Sequence, residues 1–220
     1  MDTIRVYRFH AQLLDYCSPT WRRFEIDSGK TVAELAYTLM SLFNMNGSHL
    51  FSVNEILQES ANPPRYQLPY DPDEDIFDNE EYFRADQITL REIERADNWQ
   101  LTFCYDFGDD WQVLLKLESA EEREAALQDF PMVSEGKGWG IIEDCGGTWD
   151  MEELLENAKQ GDEDAREYLS VYLDMTKINW ASIDSYFMQF DKDEHNKNIQ
   201  ENIEILKTHY EADLPKLLRQ

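Results

Sequence analysis

Residues 104–111 read CYDFGDDW, and the sequence on either side of this stretch alternates like two β-strands. Residues 99–105 and residues 111–118 both place apolar side chains at every second position. Glycine permits a positive φ angle and aspartate bonds to nearby backbone N–H groups, so residues 107–110 are typical of a tight connection. The stretch therefore predicts a β-hairpin with several carboxylates at its turn.

A first hairpin is predicted upstream, at residues 4–14 and 21–26. In its first strand Tyr7, Phe9, Ala11 and Leu13 share one face at a period of two. Turn-forming residues between positions 15 and 19 separate the two strands.

A helix is predicted over residues 31–44, because Thr31 and Glu34 have the spacing of a capping box before an apolar stripe. A short strand at residues 49–53 follows it. This ββαβ order is typical of a β-grasp, ubiquitin-like arrangement. We therefore predict an α+β fold whose N-terminal half is a β-grasp, extended by the hairpin at residues 99–118.

The second half of the sequence is predicted to be mainly helical. Residues 120–127 are predicted as a short helix, and the glycine-rich residues 136–147 as a loop, after which Thr148 caps a new helix. Helical spacing of apolar residues then recurs to about residue 210. The predicted organisation is a β-grasp-like domain at residues 1–150 and a helical C-terminal extension at residues 151–220, packed on the same core.

Composition restricts the classes of function. The 220-residue chain has a formal net charge of −26, which repels phosphate backbones and anionic lipids. Its three cysteines are widely spaced, and neither a secretory signal nor a membrane-length apolar run is present. These features predict a cytoplasmic protein that binds neither nucleic acid nor membrane. The acidic residues 71–81 are either a docking surface for a basic partner or a solvated loop.

Residues 143–147 read EDCGG and place two more carboxylates before a glycine pair. We predict that this loop meets the turn of the hairpin at residues 99–118, so that the two acidic loops form one binding site. Its predicted members are Asp106, Asp109, Asp110, Trp111, Glu143, Asp144, Gly146 and Gly147.

Four blocks of sequence together resemble the plasmid pRiA4b ORF-3-like family, whose members carry a transposon-passenger TnpR-like label. They are residues 19–23 (PTWRR), 48–51 (SHLF), 105–111 (YDFGDDW) and 143–147 (EDCGG). The resemblance covers roughly residues 1–190. It implies an α+β fold that contains a β-grasp, in a bacterial cytoplasmic protein, and no established activity. Within these blocks we expect five structural anchors: Trp21, Arg22, Arg23, His49 and Tyr105.

One position departs from the family pattern. Family members usually have a histidine two positions after the tryptophan of the third block, where this chain has Val113. A mechanism that needs an imidazole at that position is therefore in doubt for this chain. The TnpR-like label implies a resolvase, which is a DNA recombinase. This function conflicts with the negative net charge of the chain, because a recombinase needs a basic segment for DNA and this sequence has none.

Several functions fit the acidic loops. The leading hypothesis is a non-enzymatic binding or adaptor protein whose acidic loops, rimmed by Trp111, Trp139 and Trp149, take a basic protein partner. In that case no cofactor or metal is expected, and the aspartates cap turns or pair with Arg22 or Arg23.

Two alternatives remain open. Asp106, Asp109, Asp110 and Asp144 could hold Mg²⁺ or Ca²⁺ in a metal-dependent hydrolase, because converging carboxylates recruit hard cations. The acidic surface could also mimic DNA and inhibit a basic enzyme. The oligomeric state, the partner and the biological process do not follow from the sequence.

Overall fold

A computed structural model describes residues 2–57, 62–69, 82–95, 98–212 and 214 of the chain. In these ranges the strands form one sheet with the order β5-β4-β3-β6-β7-β1-β2-β8. All paired neighbours are antiparallel except β4 and β5. The strands are β1 Asp2–Leu13, β2 Trp21–Asp27, β3 Phe51–Glu55, β4 Arg65–Gln67, β5 Phe83–Arg84, β6 Gln100–Tyr105, β7 Trp111–Ala125 and β8 Met132–Lys137.

The helices surround this sheet and share its hydrophobic core. They are α1 Val32–Leu42, α2 Leu90–Ile93, α3 Gly147–Gln160, α4 Glu163–Ser170, α5 Ile183–Phe187 and α6 Lys192–Glu211. Buried residues of the sheet and of all six of these helices belong to one cluster, which includes Phe9 of β1, Leu39 of α1 and Ile203 of α6. The described residues therefore have a mixed α+β architecture.

The first hairpin and the first helix agree with the sequence pattern. Tyr7, Phe9, Ala11 and Leu13 are all buried on β1, as their period of two predicts. Helix α1 begins after Thr31, whose side chain accepts the backbone N–H of Glu34, while the Glu34 carboxylate accepts the backbone N–H of Thr31. The predicted capping box is thus confirmed.

The predicted helix at residues 120–127 is wrong, because β7 continues as a strand to Ala125. Its second half pairs with the first half of β1, from Ala120 opposite Tyr7 to Ala125 opposite Asp2. Backbone pairing with a neighbouring strand outweighs the helix propensity of alanine, glutamate and arginine in this segment.

The predicted loop at residues 136–147 is wrong at its start, because β8 extends through Gly136 to Lys137 and pairs with β2. Gly136 is a strand residue with a packing role, since a Cβ atom there would lie 2.6 Å from Phe190 and 3.0 Å from Arg22. Glycine in this strand leaves room for the two side chains that cross it.

Helix α6 covers the outer edge of β8. The side-chain amide of Asn196 donates to the carbonyl oxygen of Val133, and its oxygen accepts the backbone N–H of Val133, both at 2.8 Å. Gln200 donates to the carbonyl oxygen of Phe130 just before the strand. Because an open sheet edge invites pairing with another chain, these amides satisfy groups that would otherwise be exposed.

The structure leaves open the predicted domain division, the β-grasp assignment and the role of residues 71–81. The predicted boundary at residue 150 falls inside α3, and the division into domains stays a prediction. The β-grasp assignment also stays a prediction: β1, β2, α1 and β3 occur in the expected order, and β6 and β7 lie between β1 and β3 in the sheet. The acidic residues 71–81 lie outside the described residues.

Candidate functional site

The two acidic loops meet at one end of the sheet. The backbone N–H of Gly146 donates to Oδ2 of Asp109 at 3.0 Å, which joins the loop before α3 to the β6–β7 turn. The contact beside it is tighter still, because a Cβ atom on Gly147 would lie 2.5 Å from the carbonyl oxygen of Asp109. Gly147 also has a φ angle of 88°, a conformation that glycine adopts at little cost. The prediction that these loops adjoin is therefore confirmed by the contact.

Helix α3 starts two residues earlier than the sequence predicts. Its N-cap is Gly146 in the left-handed conformation, so Thr148 lies in the first turn and does not cap the helix. The glycine pair therefore provides the turn into α3, rather than a free loop.

Asp106 shapes the β6–β7 turn and directs one oxygen into the site. It has a φ angle of 56°, and its Oδ1 accepts the backbone N–H of Gly108 at 2.9 Å. Its backbone N–H donates to the carbonyl oxygen of Leu50, which fixes the turn beside the segment that carries His49. The second oxygen, Oδ2, lies 3.5 Å from Nδ1 of His49.

His49 lies among three carboxylates. Its Nε2 is 3.0 Å from Oδ1 of Asp144 and 3.8 Å from Oε2 of Glu143, while Nδ1 faces Asp106. Its backbone oxygen accepts a hydrogen bond from the hydroxyl of Tyr210 on α6. His49 is predicted from the sequence as a structural anchor, and the structure places it at the centre of the acidic site.

Glu143 is the most deeply buried of these three carboxylates, with a relative exposure of 2%. Burial raises the pKa of its carboxyl group, because desolvation disfavours the charged form. Its Oε1 accepts the backbone N–H of Asn46 at 2.6 Å and the hydroxyl of Tyr105 at 3.1 Å. Burial likewise raises the pKa of Tyr105, which keeps this hydroxyl a hydrogen-bond donor at neutral pH.

Helix α4 and the turn that follows it hold the same loop from its other side. The hydroxyl groups of Tyr168 and Tyr172 donate to the carbonyl oxygen of Glu143, at 2.8 and 3.2 Å. Glu143 is thus fixed through its side chain to the sheet and through its backbone to the helices.

Two predicted site residues point elsewhere. The carboxylate of Asp110 accepts hydrogen bonds from the side chains of Cys104 and Gln112, and that of Asp109 holds Gly146, so neither faces His49. The predicted set of four converging aspartates is therefore wrong, because hydrogen-bond donors near the turn engage two of them. The assignment of Trp111 to a binding surface is also wrong, since its side chain is fully buried.

The expected arginine anchors do not pair with these aspartates. The guanidinium of Arg22 is fully buried and donates to the carbonyl oxygens of Leu42, Trp21, Lys137 and Trp139. Burial lowers the pKa of Arg22 to about 9, so the group remains protonated at neutral pH. Arg23 instead pairs with Glu118 and Glu135, and its guanidinium lies 5.6 Å from the ring centre of Trp21. Val113, at the position of the family's histidine, is fully buried in the core.

A cleft of about 400 Å³ opens beside Asp144. It is lined by Asp144, Cys145, Asp150, Glu153, Leu154, Asn157 and Tyr168. Three of these residues are acidic and none is basic. Burial raises the pKa of the Cys145 thiol to about 12, so this sulfur is a neutral part of the wall.

The sequence contains a signal for this cleft, although the predicted site includes only Asp144 of its lining residues. Asp150, Glu153, Leu154 and Asn157 have the spacing i, i+3, i+4 and i+7, which places them on one face of α3. Tyr168 comes from α4, and only the pairing of the two helices brings it opposite this face.

Comparisons with known proteins agree with the family resemblance. The sequence model of the plasmid pRiA4b ORF-3-like protein family matches residues 5–207 of this chain. A crystal structure of the protein of unknown function MM3350 from Methanosarcina mazei Go1 has a TM-score of 0.70 and 21% sequence identity, over 87% of this chain and 97% of that one. This likeness shows a shared fold. No curated protein matches the chain significantly.

Within the described ranges, no helix combines the length and the apolar character that crossing a membrane requires. The match to the family model covers nearly the whole chain, including all four sequence blocks on which the resemblance rests. The chain belongs to the plasmid pRiA4b ORF-3-like family.

Proposed function

We propose that this protein is a non-enzymatic binding protein that takes a basic segment of a protein partner in the acidic cleft between α3 and α4. The observation that carries the proposal is the composition of the cleft wall, with three carboxylates, three less polar side chains and no cation in about 400 Å³. A lysine or arginine side chain has the matching character, since it joins an apolar stem to a charged end.

The arrangement of the wall supports this choice of occupant. Leu154, Cys145 and Tyr168 are half-buried and offer apolar surface, whereas Asp144, Asp150 and Glu153 are exposed at the rim. A cation entering the cleft would meet the carboxylates while its stem packs against the apolar side chains. The net charge of −26 would also speed the approach of a basic partner.

One aromatic residue borders this surface. Trp149 precedes Asp150 on α3 and is 79% exposed, and exposed tryptophan is a common anchor of protein interfaces. Trp139 packs against Tyr186 and Phe187, so Trp149 is the member of the predicted aromatic rim that remains available to a partner.

The test is a selection of random displayed peptides on the protein, followed by affinity measurements. We expect the selected peptides to contain lysine or arginine. The variant Asp150→Asn with Glu153→Gln should weaken their binding about tenfold or more, because it removes two carboxylates from the cleft. Glu156→Gln is the matched control: it removes an exposed glutamate from the same helix outside the cleft.

Two results would contradict the proposal: selected peptides that contain no basic residue, or equal affinity for the wild type and the double variant. Loss of binding to Trp149→Ala alone would support the role of the exposed tryptophan. All variants should keep the wild-type circular dichroism spectrum, since the substituted side chains are exposed.

The geometry favours this function over the hydrolase alternative. The hydrolase hypothesis needs Asp106, Asp109, Asp110 and Asp144 together, and two of these carboxylates have other partners. A DNA mimic needs acids spaced like phosphates along one face, which stays a prediction. The cytoplasmic location and the β-grasp description also stay parts of the proposal.

A further inference from the structure

We propose that His49, Asp106 and Asp144 bind one divalent transition-metal ion, of the class of Zn²⁺ or Mn²⁺. This inference goes beyond the binding of a basic segment and does not depend on it. One donor atom from each of the three side chains lies within 4.8 Å of the others. The donors come from three separate segments, namely the loop before β3, the β6–β7 turn and the loop before α3.

Small side-chain rotations would bring the three donor atoms to coordination distances. Ligands at about 2.1 Å from one ion are between about 3.0 and 4.2 Å apart. Only one imidazole nitrogen can bind a given ion, and each ring nitrogen of His49 faces a different aspartate: Nε2 lies 3.0 Å from Oδ1 of Asp144, and Nδ1 lies 3.5 Å from Oδ2 of Asp106. An ion at Nδ1 would therefore be reached by Asp106 as it stands and by Asp144 after a change of rotamer. The side chain of Asp144 is 60% exposed, so it can adjust its rotamer and leaves the ion a path from solvent.

A separate observation points to a missing positive charge. Among the described residues two other glutamates are buried, and arginine neutralises each: Glu25 pairs with Arg8 and Arg123, and Glu55 pairs with Arg95. Glu143 is equally buried and has neighbouring carboxylates. In the part of the chain that the structure describes, its only ion-pair partner within 4 Å is His49.

Asp106, the proposed ligand that is also buried, shares this electrostatic deficit, whereas Asp144 is exposed to solvent. Among the described residues, no lysine or arginine lies within 4 Å of the carboxylates of Asp106 or Asp144, and His49 is the partner of both. A single imidazole therefore faces three carboxylates. Since burying unpaired negative charge is costly, a divalent ion at this position would supply the compensation that arginine supplies elsewhere.

The donor set indicates the class of metal. Imidazole is a common ligand of Zn²⁺ and other first-row transition ions, whereas Mg²⁺ and Ca²⁺ prefer oxygen ligands alone. No thiolate is part of the group, which argues against softer ions such as Cu⁺. The ion would leave Glu143 outside its first coordination sphere, at 3.8 Å from the imidazole nitrogen.

Calorimetric titration of the metal-free full chain with ZnCl₂, MnCl₂ and MgCl₂ tests the proposal. We expect one saturable site for Zn²⁺ or Mn²⁺ and weaker binding of Mg²⁺. His49→Gln and Asp144→Asn should each lower the affinity about tenfold or more, because each removes a proposed ligand. Asp110→Asn is the matched control, since Asp110 belongs to the same turn as Asp106 and has other partners.

Titration with CoCl₂ provides a second readout, because visible absorption bands of bound Co²⁺ report its ligand set. The bands should appear with the wild type and with Asp110→Asn, and they should change with His49→Gln. Absence of a saturable site, or a site that both His49→Gln and Asp144→Asn leave intact, would overturn the proposal. Asp144→Asn keeps the test valid if His49→Gln does not fold, since the Asp144 side chain is exposed.

The proposed metal site and the proposed binding of a basic segment can be tested independently. Asp150 and Glu153 line the cleft and are not proposed ligands, so Asp150→Asn with Glu153→Gln should bind Zn²⁺ like the wild type. A loss of Zn²⁺ binding in this double variant would place the ion in the cleft and contradict the assigned ligands.

Discussion

Arg22 connects three parts of the chain through one guanidinium. It donates to carbonyl oxygens at the end of α1, at the end of β8 and in the segment that follows β8, and it lies between the rings of Phe43 and Phe190. The segment after β8 leads directly to Glu143, so this side chain helps to place the acidic loop.

We expect Arg22→Lys to destabilise the protein by about 3–5 kcal/mol, because lysine cannot make the planar set of hydrogen bonds and leaves a buried charge poorly paired. Urea unfolding at pH 7 measures the loss. Arg23→Lys is the control and should change stability by about 1 kcal/mol or less, since its ion pairs are partly exposed. Equal losses in the two variants would show that burial of Arg22 is not the cause.

Glu94 makes stability depend on pH. The hydrogen bond from Arg5 holds the pKa of its carboxyl group below the ordinary value, and the hydroxyl of Tyr7 acts in the same direction. Since the folded-state pKa is lowered, the stabilisation is present above the unfolded pKa, about 4.5. It is lost as the pH falls through the folded-state value.

Glu94→Gln should therefore cost about 1–2 kcal/mol at pH 7, with a difference from the wild type that shrinks steadily below about pH 4.5. Urea unfolding of both proteins between pH 3.5 and pH 7 measures this difference. A difference that stays constant over this range would mean that the charge of Glu94 contributes nothing.

The roles of single residues were predictable only in part. The sequence indicates that Asp106 and Asp144 belong to one site, because their loops carry the densest groups of acids and glycines. It gives no reason to place His49 between them. A lone histidine before a strand has many roles, and the choice depends on distances between segments that are far apart in the chain.

At the scale of elements, strand β8 shows how side chains can replace a missing neighbour strand. The amide of Asn196 bonds to both backbone groups of Val133, as a paired strand would. The sequence predicts α6 from the spacing of Ile199, Ile203 and Leu206, which are all buried. It does not reveal that a polar residue on this helix satisfies the edge of the sheet.

We expect Asn196→Ala to destabilise the protein by about 1–3 kcal/mol and to increase its self-association, because it leaves an unpaired edge on β8. Thermal unfolding and analytical ultracentrifugation measure the two effects. Lys197→Ala, at the exposed neighbouring position, should do neither. A monomeric Asn196→Ala protein of unchanged stability would show that α6 covers the edge without help from this amide.

The elements that the sequence mispredicts have a common cause. Residues 120–125 have helix-forming side chains and Gly136 resembles a loop residue, yet both lie in strands because neighbours in the sheet require it. Local propensity is weak compared with pairing to a strand that lies far away in the sequence. Hairpins and capped helices, by contrast, are specified by residues close together and were predictable.

At the scale of the whole molecule, the net charge of −26 opposes compaction. We expect the melting temperature to rise between about 10 mM and 1 M NaCl, because the screening length falls from about 30 Å to about 3 Å. Differential scanning calorimetry at pH 7 measures the shift. A fall in the melting temperature would instead show that ion pairs such as Arg5–Glu94 outweigh the general repulsion.

The close approach of Gly147 to the carbonyl oxygen of Asp109 has a practical outcome for directed evolution of this protein. In a gene library randomised over residues 143–147, clones should retain glycine at position 147 whatever trait is screened, because any other residue would push the hairpin and α3 apart. Amino-acid variation among the clones should instead be greatest at the exposed position 144. Sequencing the well-expressed clones would reveal this bias without any knowledge of the natural ligand.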